Sequence, residues 1–270
     1  MPIRLFLHLL SIETRKLTTY RADFWINALG GFLVQLAVTY FLWRTVYTET
    51  GKTVIAGYSF PAMVTYCVLV VLLGHLIRGD VRQIAISQEI YDGSLTRYLL
   101  FPAPYLAFKY AEHLGSLLPA TVQLVCFGAV SYYCLELGEL TGITLSTLAM
   151  TLVALAVGNV LAFLMVWPLQ AVSFWADNVW SLNVMLRFIG NMLGGFLLPL
   201  SVFPESARKT LVYLPFRYLY DFPVNTLLGR ISAAEWWSGL GIASLWCLAI
   251  TGFGRWVWKR GCLTYTGVGI

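Results

Sequence analysis

The chain has 270 residues, 59% hydrophobic and only 11% charged, with a formal net charge of +5. A soluble domain carries about a quarter charged residues, so this composition excludes one and indicates an all-α integral membrane protein. No basic run interleaved with aromatics stands clear of the apolar segments, which excludes nucleic acid as a partner.

Residues 2–21 read as an amphipathic helix. Ile3, Phe6, Leu7, Leu10 and Leu17 share one face, and Arg4, His8, Ser11, Arg15 and Thr18 share the other. The segment lacks the apolar core and small-residue cleavage site of a signal peptide. It is expected to lie in the membrane interface, its basic side against lipid headgroups or a partner.

A first span is expected over residues 24–43, long enough to cross about 30 Å of hydrocarbon. Asn27, Gly31, Gln35 and Thr39 repeat every fourth residue within it, a ridge that should face protein or water rather than lipid. The following loop, 44–58, contains T-E-T-G-K-T. A phosphate-binding loop needs glycine five residues before Gly51, and Val46 stands there, with no strand ahead of it. Nucleotide binding by this chain is therefore rejected.

A second span covers 59–77. The stretch from 82 to 104 then reads as an ordered helix–glycine–helix element that is not itself a span. Ile84, Ala85, Gln88 and Tyr91 keep helical spacing, and Gly93 is placed to end that helix in the left-handed conformation. Ser94 can cap a second short helix, which Pro102 and Pro104 stop. Such an element is either a knob that docks a partner or an amphipathic loop lying on headgroups.

Lys109, Glu112 and His113 mark the headgroup end of a third span, 114–135, in which Pro119 is expected to introduce a kink. An acidic turn, 136–142, leads to a fourth span, 143–167. Residues 168–178 form an aromatic turn in which Asp177 or Asn178 can cap the next helix. A fifth span is expected over 179–203. Asn183, Arg187, Asn191 and Gly194 lie along one face of it, and Gly190 with Gly194 permits close helix approach.

Pro204, Pro215 and Pro223 cut residues 204–235 into apolar pieces too short to cross. These fit re-entrant helices or a surface hairpin. A sixth span, 236–258, ends at Lys259 and Arg260. The five cysteines form no C-x-x-C pair and the three histidines are scattered, so no metal set and no catalytic set is read. Eleven Lys and Arg fall on the side of both termini and the knob, against six on the other. The positive-inside rule places that side in the cytoplasm. No linker or repeat divides the chain, which reads as a single transmembrane helical-bundle domain, 1–270.

The segment 86–104 resembles the bacterial ABC-2-type permeases, the membrane subunits of ABC exporters. Their pattern E-I-x-x-G-x-L-x-x-x-L-x-x-P is met by Glu89, Ile90, Gly93, Leu95, Leu99 and Pro102. The runs G-F-L-L-P-L-S-V-F-P (195–204) and L-P-F-R-Y-L-Y-D-F-P-V-N-T-L-L-G (214–229) add to the likeness. The tail R-G-C-L-T-Y-T-G-V-G (260–269) departs most and receives no role.

The resemblance implies an interface helix, six spans, a cytoplasmic coupling helix over 82–101 and short re-entrant helices over 204–235. It further implies a second permease chain, like or unlike, and a separate ATPase subunit. ATP and Mg would bind that subunit, and no cofactor would bind this chain. Gln88, Glu89, Asp92, Gly93 and Arg97 would then couple to the ATPase. Asn27 and Gln35, with Asn183, Arg187, Asn191 and Gly194, would line the path or the dimer interface. The implied location is the bacterial plasma membrane. The rival readings are a secondary transporter, which would more often carry repeats and intramembrane acids, and a membrane-embedded enzyme, which would need converging catalytic groups.

Overall fold

The computed structural model describes residues 3–19, 21–78, 86–101, 103–134, 143–176 and 179–267. The expected first residues of the coupling helix (82–85), the acidic turn (136–142) and the Asp177 or Asn178 cap lie outside the described residues.

Eleven α-helices make up these residues: α1 (Ile3–Thr19), α2 (Arg21–Thr50), α3 (Phe60–Arg78), α4 (Ile86–Tyr91), α5 (Leu95–Leu99), α6 (Tyr105–Cys134), α7 (Leu145–Ala171), α8 (Trp180–Leu193), α9 (Glu205–Leu211), α10 (Asp221–Leu227) and α11 (Ala233–Thr264). The only strands among them are β1 (Val54–Ile55) and β2 (Tyr58–Ser59), an antiparallel pair between α2 and α3. Ala56 and Gly57 both take positive φ there (53° and 83°), as a two-residue type I′ turn requires. The T-E-T-G-K-T stretch is therefore a helix end running into a hairpin.

The bundle is arranged around α3, whose apolar residues surround it on every side. A helix with no polar face has to be buried, and along this one residues from Ala62 to Gly74 are all buried. It packs against α2, α6, α7 and α10. In contrast, α2 exposes Leu33, Val34, Val38 and Phe41, an apolar surface suited to lipid or to another chain. The amphipathic α1 lies along α6, where the Thr14 hydroxyl donates to the Gly115 carbonyl.

Among the described residues, five helices are long and apolar enough to cross a membrane: 25–50, 60–78, 105–133, 145–174 and 233–264. Five expected spans are thus matched by such helices, and four of them are longer than read, the second (60–78) keeping its expected length. The third begins at Tyr105, directly after Pro104, rather than at 114.

The fifth expected span, 179–203, is corrected. Helix α8 has 14 residues and rises only about 21 Å. It ends at Gly194–Gly195, where Gly195 takes φ +91° and the Phe196 and Leu197 amides both fold back onto the Asn191 carbonyl. Pro199 then precludes any resumption of the helix.

From Pro204 to Gly229 the chain is folded into α9, a 3₁₀ turn (Pro215–Leu219) and α10. Helix α9 is mostly exposed and buries only Leu211, whereas the 3₁₀ turn and α10 are packed inside the bundle, with Tyr218, Phe222 and Val224 buried against α3, α7 and α11. Their polar groups are satisfied internally. Asp221 accepts from Tyr66, Asn225 and Arg217, and Arg217 also pairs with Glu235 at 2.7 Å. The Tyr66 hydroxyl also lies 2.9 Å from the Gly195 carbonyl. A buried carboxylate survives because it is paired and hydrogen-bonded.

Small residues set the close approaches. Gly254 and Gly261 on α11 receive Trp167 and Phe174, and this like-directed register shows that α11 runs parallel to α7. The chain between them must therefore return from one end of the bundle to the other, which it does in pieces. At Gly158 on α7, an added Cβ would stand 2.8 Å from the Tyr218 carbonyl oxygen. Gly158→Val should destabilise the purified protein by about 1–3 kcal/mol, as overpacking does. Gly241→Val, at a site open to at least 4 Å, should not. Equal melting midpoints for both variants in detergent would refute this packing.

Candidate functional site

Helices α4 and α5 meet at Gly93, whose φ of +77° sets the angle between them. The inner face of this element is apolar. Ile86, Ile90 and Leu95 are buried among Tyr105, Phe163, Leu164 and Trp167 from α6 and α7. Side chains from two other helices and from the segment after α11 then fix it in place. The Gln170 side chain of α7 accepts from the Ser87 amide at 3.2 Å. From α6, Lys109 pairs with both Glu89 and Glu112, and the Tyr105 hydroxyl also donates to Glu89. Beyond α11, the Tyr265 hydroxyl donates to the Gly93 carbonyl at 2.8 Å and lies 3.2 Å from the Thr96 amide, which donates to it.

The expected coupling residues therefore divide. Gln88, Asp92 and Arg97 are exposed, as are Tyr91, Leu99, Leu100 and Phe101. Glu89 is corrected: it is 8% exposed, and its charge is spent inside the chain on Lys109 rather than offered outward. Ser94 makes no side-chain cap. Instead the Asp92 carboxylate accepts from the Ser94 amide at 2.9 Å, closing the turn. Hydrogen bonds from the Ser94 hydroxyl and amide hold the Asp92 carboxyl below its usual range.

A second polar cluster links α3, α6 and α7. Asn159 of α7 donates to the carbonyls of Leu76 and Ile77, closing the end of α3, and also contacts the His113 ring at 3.0 Å. Tyr110 donates to the Asn159 side-chain oxygen. These groups fix how α6 and α7 sit against the last turn of α3.

The residues expected to line a path are not brought together. Asn27 is exposed on α2, and Gln35 donates to Thr39 on its own helix. Asn183 donates to the Val179 carbonyl. Asn191 accepts from Arg78, and Gly194 is buried beneath Tyr220. The two glycines of α8 do permit a close approach, but to the 3₁₀ turn of their own chain: Gly190 faces Leu219 and Phe216. Arg187 is the member of that face left exposed, at the rim of a small cleft.

Lys109, Tyr105 and Tyr265 were not singled out as site residues from sequence. Lys109 had a visible signal, since it sits three residues before Glu112 at helical spacing. Tyr265 had none beyond a tyrosine in a tail of unassigned role.

The architecture is that of a multi-pass helical membrane protein with a small, internally anchored knob between two of its long helices. The sequence matches the family described as "ABC-2 family transporter protein" over residues 33–269, and the chain belongs to that family. It is accordingly a membrane transport component, an ABC-type permease. No curated protein matches it.

Proposed function

We propose that this chain is the membrane subunit of an ATP-driven exporter in the bacterial plasma membrane, coupled through α4–α5 to a separate ATPase subunit and paired with a second permease chain. One observation carries the proposal. The α4–α5 element is fastened to α6, α7 and the segment after α11 on its inner face, while its outer face shows a mixed polar and apolar surface. On that face Leu100 is 81% exposed. A surface both rigidly held and left open fits a docking element better than a loop resting on lipid. Its fastening to α6 and α7 would pass an ATPase movement to the long helices, and through α6 to α1.

In this reading α8 and the pieces up to Gly229 complete the return crossing together. Helices α9 and α10, each too short to cross, enter and leave the bilayer from the outer side. The ATPase supplies hydrolysis and Mg chemistry, and this chain catalyses nothing. The exposed face of α2 is where a second permease chain, like or unlike, would pack.

Co-purification from native membranes tests the partners: an ABC ATPase should accompany the wild-type chain. A chain recovered alone, with transport following an ion gradient, would overturn the reading. Orientation is tested separately. In a cysteine-free background, a cysteine at Thr50 should react with an impermeant maleimide on intact cells, and one at Ser94 only after lysis. The reverse pattern would put the knob outside and remove the docking argument.

A further inference from the structure

Elsewhere among the described residues, the buried Lys109 and the partly buried Arg217 are neutralised by carboxylates. Lys109 has Glu89 and Glu112, and Arg217 has Asp221 and Glu235. Arg78, also partly buried, breaks this rule, and the exposed Arg187 shares its cleft. Arg78, at the end of α3, lies over the rings of Phe196 and Tyr220 at 4.9 and 4.8 Å and donates to the neutral Asn191 amide oxygen. Arg187, on α8, makes no ion pair or hydrogen bond among the described residues, and none of their carboxylates reaches either guanidinium. Both line one cleft of about 50 Å³.

Two like charges sharing a cleft is a costly arrangement in a low-dielectric setting unless an anion joins them. The rest of the cleft wall argues for the kind of anion. Ala162, Phe163, Met165 and Val166 of α7 and Leu186 of α8 give it an apolar lining. The space matches a single oxyanion, since one water occupies about 30 Å³. Beyond the rim, α8 exposes Val184, Met185, Phe188 and Met192, an apolar strip that would receive an acyl chain. The Arg78 fork is already oriented by its two rings and by Asn191, and a planar guanidinium suits two-point binding of phosphate or carboxylate.

We propose that Arg78 and Arg187 form a binding site for the anionic head of an amphiphile, a phosphate or carboxylate, with its apolar tail along α8. The inference concerns binding alone and stands apart from the exporter reading. It is therefore tested without an ATPase or a transport assay, and a failed co-purification would leave it untouched.

The purified full chain in neutral detergent is titrated with phosphatidylglycerol or phosphatidylcholine and the bound lipid counted by native mass spectrometry. Phosphatidylglycerol should bind more tightly. Arg187→Gln and Arg78→Gln should each weaken it about tenfold, equivalent to about 1.4 kcal/mol. Arg187→Lys should retain most of the affinity, and Arg255→Gln, an exposed cation on α11, all of it. Arg187 has no hydrogen bond to lose among the described residues, so its glutamine variant keeps the fold even if the Arg78 variant does not. Inorganic phosphate at millimolar concentration separates the sources. Competition would make a free oxyanion sufficient, and its absence would make the amphiphile the occupant; either result supports the site. Equal binding of the two lipids, or unchanged phosphatidylglycerol binding in Arg187→Gln, overturns it.

Discussion

Lys109→Met should cost the protein about 3–5 kcal/mol, because it strands the buried Glu89 carboxylate without its cation. Lys109 is 3% exposed and is the cation paired with both Glu89 and Glu112. An uncompensated Glu89 carboxylate beside the apolar face of α4 would take up a proton or draw water in, and either outcome loosens the knob from α6. The double variant Lys109→Met/Glu89→Gln should recover much of the loss, since it removes the charge as well as its partner. Melting midpoints in detergent and the protease sensitivity of residues 86–101 would measure both. If the single and double variants lose the same stability, the Lys109–Glu89 pair does not hold the knob, and its rigidity comes from Ile86, Ile90 and Leu95 alone.

The spans and the knob were legible in the sequence for a physical reason. Bilayer crossing imposes a length and a composition that any long apolar run announces, and α3 and α7 are such runs. The helix–glycine–helix turn was legible because few residues tolerate the φ that Gly93 adopts. Glu89 was misread because exposure is a tertiary property. A glutamate on a short helix looks like a surface charge until the lysine that neutralises it, twenty positions later, is folded against it.

The fifth span failed for the opposite reason. Residues 179–203 are apolar enough to cross, so composition gave no warning. The break comes from local chemistry: Gly194–Gly195 followed by Pro199, with the Tyr220 ring and the Phe216 carbonyl close against Gly194 and with Tyr66 and Asp221 close against Gly195. The polar face of α8 was a real periodicity assigned to the wrong neighbour. Asn191 and Gly194 turn toward Arg78 and Tyr220 of the same chain, and only the Arg187 end of that face remains open.

Gly93→Val should abolish coupling while leaving membrane insertion intact. At φ +77° a β-branched residue clashes with its own backbone, at a cost of about 1–2 kcal/mol or more. The chain can avoid that cost only by changing the angle between α4 and α5. Such a change would pull the Gly93 carbonyl from Tyr265 and re-aim Asp92 and Arg97, which flank the turn. The long helices hold no part of this strain, so expression level and detergent extraction should match wild type. ATPase recovered on co-purification should fall at least tenfold, and substrate-independent markers of folding, such as the melting midpoint, should move only slightly. Tyr265→Phe separates the two contributions. It removes the hydrogen bond to Gly93 and leaves φ free, so it should weaken ATPase recovery less than Gly93→Val does. Wild-type ATPase recovery and transport in Gly93→Val would mean that the turn's geometry is irrelevant to docking, and α4–α5 would then be a loop that merely rests on the membrane surface.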